Sequence, residues 1–238
     1  TRADAWLGQS RVAWRQIEKI DPRELTEEQL EPIESTLRQA KRQIDSLGRH
    51  KLWKAQIFKI LGEIQLRRSD FGASAKFLEK ARTFLPKDTL LVERVAHVLR
   101  LGGDFNGSMA TWEVLLKMSP NSEPGIVGLA DVFIQTAAYE RGSARIRELI
   151  AKQAKPSAAS QFWHAELLWL MGERKEAREM YEQVLRTDPQ FVRALVAMAR
   201  IDIQDGELDV ATRRLQTARS IDAENAWVYI GFGDFYRT

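Results

Sequence analysis

The sequence predicts an all-α fold, a solenoid of antiparallel helix pairs. Three observations carry that prediction. Small residues recur at Gly62, Ala96, Ala130, Ala165, Ala199 and Gly233, spaced by 34, 34, 35, 34 and 34. Between them, apolar residues fall three and four apart in two runs, as they do on one face of a helix. Glycines and prolines punctuate those runs at matching places, so each interval reads as helix, turn, helix, turn.

The segment before the repeats, residues 1–54, lies outside this register. Residues 4–20 read as a helix carrying Trp6, Leu7, Trp14 and Ile17. Asp21-Pro22 breaks it and caps the next helix, with Glu24 in capping-box position. Leu30, Ile33, Leu37, Ala40, Ile44 and Leu47 then alternate by three and four, which predicts a helix packed over the first repeat. Pro32 starts that helix or kinks it.

The repeats follow as 55–88, 89–122, 123–157, 158–191 and 192–225. Twelve residues after each small anchor stands another small residue: Ser74, Ser108, Gly142, Ala177 and Ala211. Sixteen after it stands a large one: Leu78, Trp112, Ile146, Tyr181 and Leu215. Gly103, Gly172 and Gly206 mark the turn inside a pair, where a left-handed backbone ends a helix cheaply. Pro86, Pro120 and Pro189 end second helices, which proline cannot continue. Residues 226–238 read as the first helix of a sixth pair, rich in aromatics.

In these columns the sequence resembles the tetratricopeptide repeat family, over residues 55–225 and the helix that follows. That family's unit is 34 residues long. It carries small residues at places 8 and 20, large ones at 4, 7, 11, 17 and 24, and proline at 32. The resemblance implies a right-handed superhelix whose first helices line a concave face. Departures fall at Gln65 and Asp202 (place 11) and at Gln161 and His164, polar residues at apolar places, where less regular packing is expected.

Places 2, 5, 9 and 12 of each unit are the ones the resemblance points into the groove. From the third unit on they mix apolar, aromatic and charged residues. The candidate partner-binding residues are Val127, Asp131, Ile134, Phe162, Glu166, Trp169, Arg193, Val196, Arg200, Trp227 and Ile230. Exposed aromatics beside arginine are the usual composition of binding hot spots. The alternative is internal: Trp169 packs on the next unit and Glu166 pairs with Arg200. The subtype of the family that grips a C-terminal carboxylate is not expected in the first units. Lys59 fits it, but Glu63 stands where asparagine is needed.

Composition narrows the function. Hydrophobic residues make up 44% of the 238-residue chain, enough for a continuous core. Its 36 basic and 33 acidic residues are interleaved, whereas a nucleic-acid binder concentrates Lys and Arg on one face, so no nucleic-acid partner is expected. The absence of cysteine removes disulfides, thiolate metal sites and cysteine nucleophiles. It also gives a soluble chain a slight lean away from the cytoplasm, toward the periplasm. No apolar run approaches the roughly 18 residues of a membrane span, so membrane insertion is not expected. The chain opens on Thr1, so it reads as a processed or excised piece of a longer protein.

Chemistry is not expected either. His50, His97 and His164 lack metal-ligand spacing. Gly231-Phe-Gly233 has neither the third glycine nor the strand of a dinucleotide loop. Asn106-Gly107-Ser108 matches a glycosylation sequon but serves a turn. No cofactor, metal or catalytic residue is assigned. The reading is a protein-binding scaffold, an assembly or adaptor component of the kind used in bacterial envelope, secretion and polysaccharide-export machinery. Its rivals are a regulatory or substrate-docking part of a larger enzyme, and a scaffold that self-assembles through the aromatic end helix.

Overall fold

The computed structural model describes residues 26–46 and 51–237, with isolated helical positions at 5, 8, 9, 12 and 15. Trp6, Leu7, Trp14, Ile17, Asp21, Pro22, Glu24, Leu47 and His50 lie outside the described residues. All regular structure among the described residues is helical. The helices are α1 (Glu27–Ser46), α2 (Lys51–Arg67), α3 (Phe71–Phe84), α4 (Thr89–Leu101), α5 (Phe105–Met118), α6 (Glu123–Gln135), α7 (Tyr139–Ala151), α8 (Ala158–Met171), α9 (Arg174–Thr187), α10 (Val192–Gln204), α11 (Leu208–Ile221) and α12 (Ala226–Phe235). They fall into two compact halves, Thr1–Ser119 and Pro120–Thr238.

In the N-terminal half, α1 packs on α2, and Leu30, Ile33, Leu37 and Ala40 are buried in one core with Ile57, Phe58 and Leu61. The helix begins at Glu27, and Pro32 lies inside it rather than at its start. Arg68 fastens α1 to the end of α2. Its guanidinium donates to Glu27 at 2.5 and 2.7 Å and to Glu34 at 2.5 Å. Burial works against the Glu34 carboxylate, but hydrogen bonds from Arg68 and Arg38 outweigh it and hold the group below its ordinary range.

The pairs α2/α3 and α4/α5 show what the small columns do. A Cβ on Gly62 would lie 2.7 Å from Leu78 Cγ and 3.4 Å from the Ser74 carbonyl oxygen, so a side chain here would push Leu78 aside. At such range a short hydroxyl reaches the facing backbone. Ser74 Oγ donates to the Gly62 carbonyl at 2.7 Å, and Ser108 Oγ to the Ala96 carbonyl at 2.8 Å. The large residue four positions on, Leu78 or Trp112, then fills the space beside the contact and is fully buried.

The C-terminal half repeats this in α6/α7, α8/α9 and α10/α11. Ala130, Ala165 and Ala199 are 0% exposed, as are Ile146, Tyr181 and Leu215. A Cβ on Gly142 would meet Phe133 Cβ at 2.7 Å. In α12 the anchor shifts. Gly233, the residue in register, meets nothing within 4 Å, while on Gly231 a Cβ would lie 2.6 Å from Leu215. Place 8 faces the second helix of its own pair, and no described residue supplies one here; Gly231 instead lets α12 sit down on α10 and α11.

Two of the off-pattern polar residues, Asp202 and His164, are buried with partners rather than loosening their helices. Asp202 (4% exposed) pairs with Arg214 and lies 3.8 Å from Arg178. His164 (5% exposed) has Nε2 3.2 Å from Ser143 Oγ. Burial and the nearby Arg147 pull its pKa down to about 4. Both α8 and α10 run unbroken.

The turn inside each pair uses one left-handed residue: Ser69, Gly103, Ala137, Gly172 and Gly206, with φ of 58°, 80°, 54°, 86° and 82°. Three of these are the predicted glycines. In the other two a side chain is held in a region that costs an L-residue about 1–2 kcal/mol. Six of the described helices start on a side-chain cap, two of them after these turns at Asp70 and Asp104, which accept from the Ala73 and Gly107 amides.

Two outcomes follow. Ala137→Gly removes the left-handed cost and should stabilise the chain by about 1 kcal/mol in urea unfolding, whereas Gly172→Ala should destabilise it by a similar amount. An unchanged midpoint for both would mean the turns relax freely. For His164, the unfolded chain takes up a proton below the ordinary value of 6.5 and the folded chain only near 4, so stability is lost as pH falls through that window. His164→Leu should flatten the fall in melting temperature between those values, because the carboxylates that titrate alongside are unchanged in the variant.

Candidate functional site

The first helices of the C-terminal half, α6, α8, α10 and α12, carry all eleven candidate groove residues. In the N-terminal half, two groove places are occupied by internal pairs. Lys59 lies 3.3 Å from Asp88, and Arg94 binds Glu63 with two nitrogens.

The structure sorts the candidates. Val127, Asp131, Ile134, Trp169, Arg193, Arg200 and Trp227 are half-buried, and Ile230 is 53% exposed. Phe162, Val196 and Glu166 are buried, at 0%, 5% and 7%. Phe162 therefore belongs to the core. Tyr181, Phe191, Trp163 and Trp227 surround it with ring centroids 5.4–6.4 Å away. The sequence register places it on the groove side of α8, but these rings roof it over. Val196 is covered by α12, since a Cβ on Gly231 would come 3.0 Å from its Cγ1.

Glu166 is an anchor. Its carboxylate accepts from the Tyr181 hydroxyl at 2.5 Å and from Arg200 Nη2 at 3.2 Å. The internal pairing of Glu166 and Arg200, expected as the alternative, is therefore present. Burial and the adjoining carboxylate push the Tyr181 phenol above its ordinary value, so it stays a donor.

Arg200, held by that anchor, stacks over Trp169 with its guanidinium carbon 4.5 Å from the ring centroid. Arg174 covers the same ring at 3.7 Å. Trp169 is thus in contact with two guanidiniums, each contact contributing about 0.5–1 kcal/mol where solvent reaches it. A second cluster repeats the chemistry. Arg193 lies 5.6 Å from the Trp163 ring and 5.5 Å from the Trp227 ring.

Trp163 and Arg174 escaped the sequence reading. Trp163 occupies a place outside the four groove positions, and Arg174 opens a second helix. The available signal was local: the Gly172 turn brings Arg174 back beside Trp169, five residues earlier.

Residues 168–229 match the family model described as tetratricopeptide repeat. Over this stretch the chain carries tetratricopeptide repeats. No curated protein matches the sequence. Among solved structures, a tetratricopeptide repeat protein from Parabacteroides merdae aligns over 99% of this chain and 86% of its own, at 16% identity and a TM-score of 0.72. PilF of Pseudomonas aeruginosa aligns over 98% of this chain and 97% of its own, at 13% identity and 0.59. YrrB, a tetratricopeptide protein described with an unusual peptide-binding site, aligns over 81% and 97%, at 11% and 0.51. At these identities the likeness is one of fold. Among the described residues there is no group of three or more His, Cys, Asp or Glu able to hold a metal ion, and no helix long and apolar enough to cross a membrane.

The Tyr181 anchor is directly measurable. Tyr181→Phe removes the donor and leaves a buried carboxylate with Arg200 alone, so it should lower stability by about 1–3 kcal/mol. It should also loosen Arg200 over Trp169, read as a change in tryptophan fluorescence. A variant as stable as the parent, with the same emission, would show that water replaces the hydroxyl.

Proposed function

We propose that this chain is a protein-interaction scaffold that holds a segment of a partner protein along the face formed by α8, α10 and α12. The observation that carries the reading is half-buried Trp169 with both Arg174 and Arg200 packed against its ring. Aromatic and arginine side chains supply large contact area and directed donors, and their own stacking fixes their rotamers before a partner arrives. The peptide-binding site described for YrrB supports a groove of this kind on this fold. The finer form of the reading is an assembly or adaptor component of bacterial envelope, secretion or polysaccharide-export machinery, with catalysis no part of its work.

A second reading has its own observation. Tyr229 and Ile230 on α12 and Tyr236 just after it are 60%, 53% and 79% exposed, an apolar surface of the sort that marks association sites. Self-assembly through this helix would make the mass seen by light scattering rise with concentration. A strict monomer at high concentration would remove this reading.

The groove reading is tested by affinity capture from the native cell extract with the parent and with Trp169→Ala, each checked for helicity by circular dichroism. The variant should fold and lose the partner by roughly tenfold or more, as hot-spot truncation does. Equal capture by both would place the interaction elsewhere. Phe162→Ala is the wrong probe here, because emptying that core position should cost about 3–5 kcal/mol of stability.

A further inference from the structure

The charges on this face do not balance. The Glu166 carboxylate is taken by Tyr181 and Arg200, and Asp234 is bonded to Arg237 at 2.5 Å. Arg193 has no carboxylate partner among the described residues. Arg174 reaches only the side-chain oxygen of Gln204, at 3.5 Å. Two guanidiniums are therefore left without counter-charge, and each lies against tryptophan. Stacking fixes the plane of a guanidinium while leaving its N–H edge open, which is the fork that accepts a carboxylate with two bonds.

We propose that this face takes an acidic segment of another protein, in which Asp or Glu side chains alternate with aromatic or large apolar ones. This rests on the groove reading above and names its partner class. One carboxylate sits on Arg193, with the neighbouring apolar side chain against Trp163 and Trp227. A second reaches Arg174 beside Trp169. Two cationic seats, at the starts of α9 and α10, call for discrete carboxylates rather than a continuous polyanion. A chain terminus offers a single main-chain carboxylate, so side chains are the source that fills both seats.

The test is selection of linear dodecapeptides displayed on phage through their C-termini, so that only side-chain carboxylates are offered. The bait is the parent protein, and enriched peptides are remade as amides and titrated by fluorescence anisotropy. Enriched peptides should place Asp or Glu next to Trp, Phe or Leu. Arg193→Gln should weaken them about tenfold or more, as loss of a charge-assisted pair does. Arg193→Lys should recover only part of that, because it keeps the charge without the fork. Helicity of each variant is checked first. Neutral or basic peptides whose binding Trp169→Ala abolishes would overturn the acidic partner and leave the groove reading standing. Peptides indifferent to both Arg193→Gln and Trp169→Ala, or no enrichment at all, would overturn both.

Discussion

The close approach of two backbones inside each helix pair is the constraint on which everything else depends. It is made by residues that offer almost no side chain: Gly62 against Ser74, Ala96 against Ser108, Ala165 against Ala177. Where serine stands in the second column, its hydroxyl bonds the carbonyl of the facing helix, so contact and hydrogen bond arise from the same proximity. A larger residue in either column would drive the pair apart and leave Leu78, Trp112 or Tyr181 without a filled cavity. Interiors pack too densely to absorb such a shift.

The groove inherits its geometry from that contact. Tyr181 is the large residue beside the Ala165–Ala177 approach, and its ring lies in the core while its buried hydroxyl reaches the first helix of the pair. There it binds Glu166, which binds Arg200, which lies on Trp169. A packing residue of the second helix thus sets the orientation of a surface cation two elements away. Buried polar groups of this kind are costly when unpartnered, and here hydrogen bonds join Tyr181 and Arg200 to the same carboxylate. The proposed face is therefore already ordered, which would lower the entropy lost on docking a segment of a partner.

Polar residues in apolar columns tell a related story. Asp202 and His164 occupy places where the repeat pattern calls for large apolar groups, and read from the sequence they suggest loose helices. In the structure each is met by a residue from a neighbouring helix, Arg214 for Asp202 and Ser143 for His164. The spacing between the residues of each such pair, 12 and 21, depends on which helices adjoin. The pattern marks these positions as exceptional, and only the neighbours decide that they are tolerated.

The amino-acid sequence by itself determined the helix pairs, their register, the tight columns and the glycine turns, because each follows from local spacing or from a backbone only glycine adopts easily. It also placed the candidate face on the first helices. What it could not decide was which of those residues a partner can touch. Phe162 and Trp163 are adjacent in the chain and alike in size, yet the first is sealed under four rings and the second stacks with Arg193. Likewise Gly233 kept the register while Gly231 made the contact. Exposure at these positions depends on what lies across from the helix, and that is fixed only when distant segments have packed.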